Sequence, residues 1–218
     1  MPSPRFRRMQ AQVTQLGKVL LPRDIKKDLL EFTPRISLRA LSYRLLCYAE
    51  IEHYLEERVL EIATAADKAW KERGHISRST FCLLAFSGRT LSKLPETLSP
   101  PPSKKQVDWD DLIKPDKRLS QSISSFHDDV RNQNNGIKEK NIIALLLPIG
   151  FDPDLIDELL LSDLNDLTVK RGEAAHVSTF GQLTRGVNPR DEYDQIARII
   201  NGLKAVDIGL DALLKSAK

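Results

Sequence analysis

Apolar residues recur at a spacing of three and four positions along most of this 218-residue chain, and this periodicity constrains the fold more than any other feature. The longest example predicts a helix from Ile36 to Arg73. Its apolar seam consists of Leu38, Leu41, Leu45, Tyr48, Leu55, Val59, Ile62 and Ala66. The apolar-polar alternation of β-strands never persists beyond a few residues. The sequence therefore predicts an all-α fold, an up-and-down helical bundle.

Two more helices are predicted in the middle of the chain, on either side of a proline-rich stretch. The first covers Ser79 to Leu94, and the second covers Leu119 to Gln133. Gly136 follows the second helix in the sequence NQNNG, where we expect a left-handed helix cap. Prolines 95, 100, 101, 102 and 115 exclude a continuous helix between the two segments.

The last third of the chain contains three further helical segments. A short one ends at Pro148. The next begins near Asp154, and it either continues through Ser162 or breaks there. The last helix is predicted to begin with Pro189 in its first turn and Asn188 as its N-cap.

These patterns divide the chain into a basic N-terminal arm, residues 1–34, and a helical domain, residues 35–218, with a proline-rich connection or insertion at 95–118. From Met1 to Asp28, seven lysines and arginines face only two aspartates. Such an arm is either a solvated tail or a contact for phosphates. Because the net charge of the whole chain is only +3, any contact with nucleic acid should be confined to a patch.

The chain contains no apolar run typical of a signal peptide or a membrane-spanning helix, so we expect a cytoplasmic protein with no membrane partner. Cys47 and Cys82 lie in separate apolar segments and are expected to be buried free thiols. Neither these cysteines nor the histidines have the spacing of a zinc site. We therefore expect no metal and no other cofactor.

One position of the apolar seam in the first long helix is occupied by a carboxylate, Glu52. An ionised carboxylate needs a partner or water in a core. On the helix before Ser178, Arg171 also falls on the apolar side. Either the two residues form an ion pair between helices, or they are the edges of two amphipathic faces and extend toward water.

Arg171, the four residues GEAA and His176 match the Arg-x4–6-His motif of the HEPN superfamily, and the chain resembles that superfamily in two longer stretches. The sequence RLLCYAEIEHYLEERV is similar to the family's long first helix. The sequence NNGIKEKNIIALLLPIGFDPDLIDELLLSDLNDLTVKRGEAAH resembles the stretch that leads into the motif in branches related to RiboL-PSP-HEPN. The resemblance covers roughly Ser37 to Thr179.

The resemblance implies a metal-independent endoribonuclease that acts as a homodimer, with Arg171 and His176 of both copies in one cleft. Glu52 would support this site, and Glu173, three positions before His176, either orients the imidazole or is an ordinary surface residue. Gly172 stands where many members of the family have a polar residue, often Asn. It either weakens catalysis or lets a partner backbone approach at the dimer axis.

The family context also implies a toxin, antiphage or stress-response role, with RNA as substrate and an antitoxin or regulatory protein as a further partner. The first alternative is a catalytically silent HEPN domain that binds RNA, a nucleotide or a partner protein. The second is a helical scaffold in which Glu52 and Arg171 form only a structural pair.

Overall fold

The computed structural model describes residues 1–23, 33–88, 114–176 and 186–218, with the side chains of 115 and 174–176 left out. Every regular element in these ranges is helical, which confirms the predicted all-α fold. The α-helices of the described residues are α1 (Pro4–Leu20), α2 (Pro34–Arg73), α3 (Arg78–Ala85), α4 (Pro115–Asp128), α5 (Glu139–Leu146), α6 (Glu158–His176) and α7 (Pro189–Ser216). A π-helical turn, Asp129–Gln133, follows α4, and a 3-10 turn, Pro153–Leu155, precedes α6.

Contacts divide the chain into two compact units. Unit 1 consists of Met1–Glu57, Gly136–Ile143 and Asp154–Gly209. Unit 2 consists of Arg58–Asn135, Ala144–Pro153 and Leu210–Lys218. The residues discussed below as a candidate site all belong to unit 1.

The N-terminal residues pack into unit 1 through α1, so the expectation of a solvated tail is wrong for them. Phe6, Met9 and Val13 are buried on one face of this helix. Ser3 caps it by accepting a hydrogen bond from the Phe6 backbone N–H at 3.1 Å. The backbone N–H and the hydroxyl of Ser3 both donate to the buried carboxylate of Asp207, at 2.6 Å each. The division into an arm of residues 1–34 and a domain of residues 35–218 stays a prediction.

The long helix α2 begins at Pro34, close to the predicted Ile36, and ends at the predicted Arg73. Most of its seam is buried, but Leu38 and Leu45 are 44% and 37% exposed, so this part of the predicted seam is wrong. Ala40 and Tyr43 are buried there instead. An α-helix turns every 3.6 residues, so a seam extrapolated over 40 residues drifts around the helix and leaves the core face.

The helices beside the proline-rich stretch differ from the prediction at their inner ends. Helix α3 ends at Ala85, well before Leu94, and Gly88 adopts a left-handed φ of 70° just after it. Helix α4 begins at Pro115, four residues before Leu119, because a proline in the first turn of a helix needs no N–H donor there. Prolines 95 and 100–102 lie outside the described residues.

Gly136 does not form the predicted left-handed cap, since it is not among the glycines with positive φ. It is buried, and a Cβ there would lie 3.2 Å from the Tyr48 hydroxyl. Helix α6 continues through Ser162 without a break. Helix α7 begins at Pro189 as predicted, and the side chain of Asn188 caps it by accepting from the Arg190 N–H at 2.9 Å.

Within the described part of the chain, no helix combines the length and the hydropathy needed to cross a bilayer.

Candidate functional site

The side chain of Arg171 lies on the surface in the last turns of α6, which agrees with the alternative in which it extends toward water. Its guanidinium carbon lies 5.2 Å from the centre of the Tyr48 ring. Tyr48 belongs to α2 and is only 2% exposed, so its ring is a fixed platform. A cation-π contact of this kind orients a guanidinium without using its N–H donors. Among the described contacts, the Tyr48 ring therefore orients Arg171 and leaves its N–H donors available to an anion.

The hydroxyl of Tyr48 is buried and has no hydrogen-bond partner of ordinary geometry in the described chain. Burial raises the pKa of Tyr48, and the nearby charge of Glu52 raises it further. Thr168 lowers this pKa, but by less. The phenol is therefore neutral near pH 7. The aromatic ring of Tyr48 therefore contacts the Arg171 guanidinium, and its hydroxyl does not act as a general base.

Glu52 lies one helical turn after Tyr48 on the same side of α2 and is half-buried. Burial raises the pKa of its carboxyl, Glu56 raises it further, and Arg171 lowers it. Among the described contacts the charged atoms of Glu52 and Arg171 do not come within 4.0 Å of each other. The two groups attract each other over a longer distance. They are not the direct ion pair that was one of the two alternatives from the sequence.

A buried ion pair holds the backbone of α6 beside Arg171. The Nε of Arg44, on α2, donates to Oε2 of Glu192, on α7, at 2.7 Å. The Nη1 of Arg44 also donates to the backbone carbonyl of Lys170 at 3.4 Å. The Arg44 and Glu192 side chains are only 11% and 4% exposed. Because Lys170 directly precedes Arg171, this pair helps to position the exposed guanidinium.

The sequence prediction missed this ion pair, although one signal for it was present. Counting back by four from Glu52 along α2 reaches Tyr48 and then Arg44, so all three residues share one side of the helix. No comparable signal identified Glu192, which reads from the sequence as an ordinary acidic residue in the first turn of α7.

Helices α6 and α7 are joined by polar contacts on their facing sides. The Nζ of Lys170 donates to Oε1 of Gln195 at 2.7 Å. The Gln195 amide in turn donates to the carbonyl of Asp163 at 3.3 Å. The Asp163 carboxylate accepts two hydrogen bonds from Arg198, at 3.0 Å and 2.8 Å. The end of α6 is thus attached to both α2 and α7.

The remaining predicted site residues lie on the final turns of α6. Gly172 is half-exposed, and a Cβ at this position would meet no atom within 4 Å. Glu173 is exposed. His176 is the last residue of α6, and its side chain lies outside the described residues. The structure therefore brings Glu52 and Arg171 together beside Tyr48, and the role of the His176 imidazole stays a prediction.

The described residues contain no group of three or more His, Cys, Asp or Glu side chains that could hold a metal ion. Cys47 is buried, as predicted, and burial raises the pKa of its thiol to about 12. Cys82 is only partly buried. Because thiols act as nucleophiles in the thiolate form, Cys47 is not a candidate nucleophile.

A protein-family model described as RiboL-PSP-HEPN matches residues 23–212 of the chain. The matched region contains Glu52, Arg171 and His176, while α1 precedes it. No curated protein and no solved structure matches the chain.

Proposed function

The chain belongs to the RiboL-PSP-HEPN family, and we propose that it is a metal-independent endoribonuclease whose reactive groups are Arg171 and His176. HEPN domains commonly act as ribonucleases. The observation that carries the proposal is the position of Arg171. Its guanidinium is exposed, lies over the Tyr48 ring, and shares the last turns of α6 with His176.

These residue types suit cleavage of RNA by its own 2′-hydroxyl. Arg171 would hold the scissile phosphate through a bidentate contact and stabilise the charge that develops on it. His176 would transfer protons, because an imidazole with an ordinary pKa of about 6.5 accepts or donates a proton near neutral pH. The products would end in a 2′,3′-cyclic phosphate, and DNA would remain intact because it lacks the attacking hydroxyl.

The reaction requires one group to remove a proton from the 2′-hydroxyl and another to protonate the leaving oxygen. A homodimer that brings two copies of His176 into one cleft would supply both. We therefore propose that the active form is a dimer with the end of α6 near its axis, where Gly172 would allow close approach. From the family context, we propose a toxin, antiphage or stress-response role, with an antitoxin or regulatory protein as partner.

The test is cleavage of a labelled single-stranded RNA by the purified chain, with and without a chelator. We expect cleavage that survives chelation and yields cyclic phosphate ends. His176→Ala should abolish it while the circular dichroism spectrum and the dimer are retained. His75→Ala is the matched control, because His75 is an exposed histidine of unit 2. Full activity of His176→Ala, or loss of activity on chelation, contradicts the proposal.

A second candidate function is that of a catalytically silent HEPN domain that binds RNA, a nucleotide or a partner protein. Gly172 favours it, because it replaces the polar residue that many members of the family have after the arginine. Since the space at this position is open, Gly172→Asn should fold and would restore that polar group. Activity in Gly172→Asn alone would support the silent domain. Cleavage by the unchanged chain would exclude it.

A further inference from the structure

Unit 1 contains a cavity of about 770 Å³ between α1 and α7, and its described lining does not include the residues proposed to cut RNA. Its floor consists of buried side chains that are almost entirely apolar, Val13, Leu21, Tyr43, Ile196 and Ile200. Ligand cavities typically have volumes of about 300–1,000 Å³ and mostly apolar walls. The size and the lining are therefore those of a site for a small organic molecule.

The rim of this cavity is cationic. Three basic residues line it. Lys18 lies on α1, Arg23 lies just after this helix, and Lys204 lies on α7. All three residues are exposed, and the described lining contains no aspartate or glutamate. The chain as a whole has 33 basic and 30 acidic residues, so this local excess favours an anionic group at the mouth of the cavity.

The floor offers almost no hydrogen bonds to a ligand. Its one polar group is the hydroxyl of Tyr43, a residue that is only 1% exposed. A ligand with a heterocyclic body would lose the hydration of its ring nitrogens and oxygens against Val13, Ile196 and Ile200 and would gain no hydrogen bonds in return. A hydrocarbon body gains from burial at the same place.

We propose that this cavity binds a small organic anion with a hydrocarbon body, of the medium-chain fatty acid type. The hydrocarbon would lie on the apolar floor, and the carboxylate would face Lys18 and Lys204. The stretch of α1 that lines the cavity runs from Gln10 to Lys18, which is roughly 12 Å of helix at 1.5 Å per residue. An extended medium-chain acyl group suits this length. The site does not depend on the proposed ribonuclease function.

The test is calorimetric titration of the full chain with dodecanoate below its micelle concentration. Two further probes separate the alternatives. Dodecyltrimethylammonium has the same chain length with the opposite charge, and adenosine monophosphate has an anionic group on a heterocyclic body. We expect saturable binding of dodecanoate, and at least about tenfold weaker binding of both other probes.

Three variants place the ligand. Lys204→Glu and Lys18→Glu should each weaken dodecanoate binding about tenfold, because each puts a negative charge at the rim. Ala197→Trp should abolish binding, since Ala197 is an exposed residue of the cavity wall and the indole would fill the space. Lys140→Glu is the control for the same charge change, at an exposed position on α5 that does not line the cavity.

Four results would overturn the proposal. The first is no dodecanoate binding by the unchanged chain. The second is equal binding of dodecanoate and dodecyltrimethylammonium, which would indicate a non-specific apolar surface. The third is dodecanoate binding that Ala197→Trp leaves intact, because the ligand would then lie elsewhere. Preferred binding of adenosine monophosphate would likewise contradict a hydrocarbon body.

Discussion

At the scale of single residues, the proposed chemistry depends on how Arg171 is presented. Its guanidinium carbon lies 5.2 Å from the centre of the Tyr48 ring, while the side chain as a whole is exposed. This geometry restricts the side chain without burying the charge. The reading in which Arg171 forms only a structural pair with Glu52 loses support, because their charged groups do not meet within 4.0 Å among the described contacts.

Arg171→Lys should reduce RNA cleavage at least about tenfold, because lysine keeps the charge and loses the planar fork that binds a phosphate through two hydrogen bonds. The free energy of unfolding should change by less than about 0.5 kcal/mol, as is usual for an exposed position. The measurements are the initial cleavage rate and a urea titration. Arg190→Lys, at an exposed position in the first turn of α7, is the control. Wild-type cleavage by Arg171→Lys would mean that the fork is not used.

Glu52 should make the stability of the protein depend on pH. Burial raises the pKa of its carboxyl above the ordinary 4.5, and Glu56 adds to this against the pull of Arg171. The folded chain therefore keeps this proton at pH values where the unfolded chain has released it. Consequently, the contribution of Glu52 to folding stability falls as the pH rises from 4.5 through the folded-state pKa.

Glu52→Gln removes the fall in folding stability that ionisation of Glu52 causes, because an amide does not ionise. Its melting temperature, relative to the unchanged chain, should therefore increase across that pH window and level off above it. Glu72→Gln provides the control, since the Glu72 side chain is 58% exposed. A temperature difference between Glu52→Gln and the unchanged chain that stays constant with pH would show that the carboxyl is not perturbed.

At the scale of helices, the Arg44–Glu192 pair connects α2 to the first turn of α7. Arg44→Met would leave the Glu192 carboxylate buried without its partner, at a cost of about 3–5 kcal/mol. The double variant Arg44→Met/Glu192→Met should recover most of this loss, because no unpaired charge remains. Urea titrations of both variants measure the difference. Equal destabilisation of the single and double variants would show that lost packing, and not an unpaired charge, dominates.

Substitution of two helical glycines, Gly172 and Gly202, tests how closely neighbouring side chains approach α6 and α7. At Gly172 on α6 a Cβ meets nothing within 4 Å, so Gly172→Ala should stabilise the protein by up to about 1 kcal/mol through helix propensity. At Gly202 on α7 the same Cβ would lie 3.1 Å from Leu160, so Gly202→Ala should be the less stable variant. Thermal unfolding compares them directly. The reverse order would contradict the described approach of α6 and α7.

At the scale of the whole molecule, α1 belongs to the packed part of unit 1 although it precedes the matched family region. The Phe6 side chain is fully buried, and its ring lies edge-on to Tyr54 at 5.7 Å. Phe6→Ala should cost about 3–5 kcal/mol in the free energy of unfolding. Val19→Ala, on the same helix at a position 57% exposed, should cost less than about 0.5 kcal/mol. Similar values for the two variants would mean that α1 does not dock as described.

The residue pattern alone was enough to predict a helical chain, the end of α2 at Arg73, the start of α7 at Pro189, and a carboxylate, Glu52, within an apolar face. These features follow from residues three or four positions apart, and from local caps such as Asn188 before Pro189. The same local rules wrongly predicted a left-handed cap at Gly136. This glycine is instead buried close to the hydroxyl of Tyr48, which is distant in the sequence.

The packing of helices distant in the chain accounts for the burial of one face of α1, the exposure of Leu38 and Leu45, and the position of Arg171 over Tyr48. It alone joined Arg44 to Glu192, which are 148 positions apart. The physical reason is that periodicity describes one helix at a time. The approach of two helices distant in the chain depends on the packing of all the side chains between them, and no pattern within either helix encodes it.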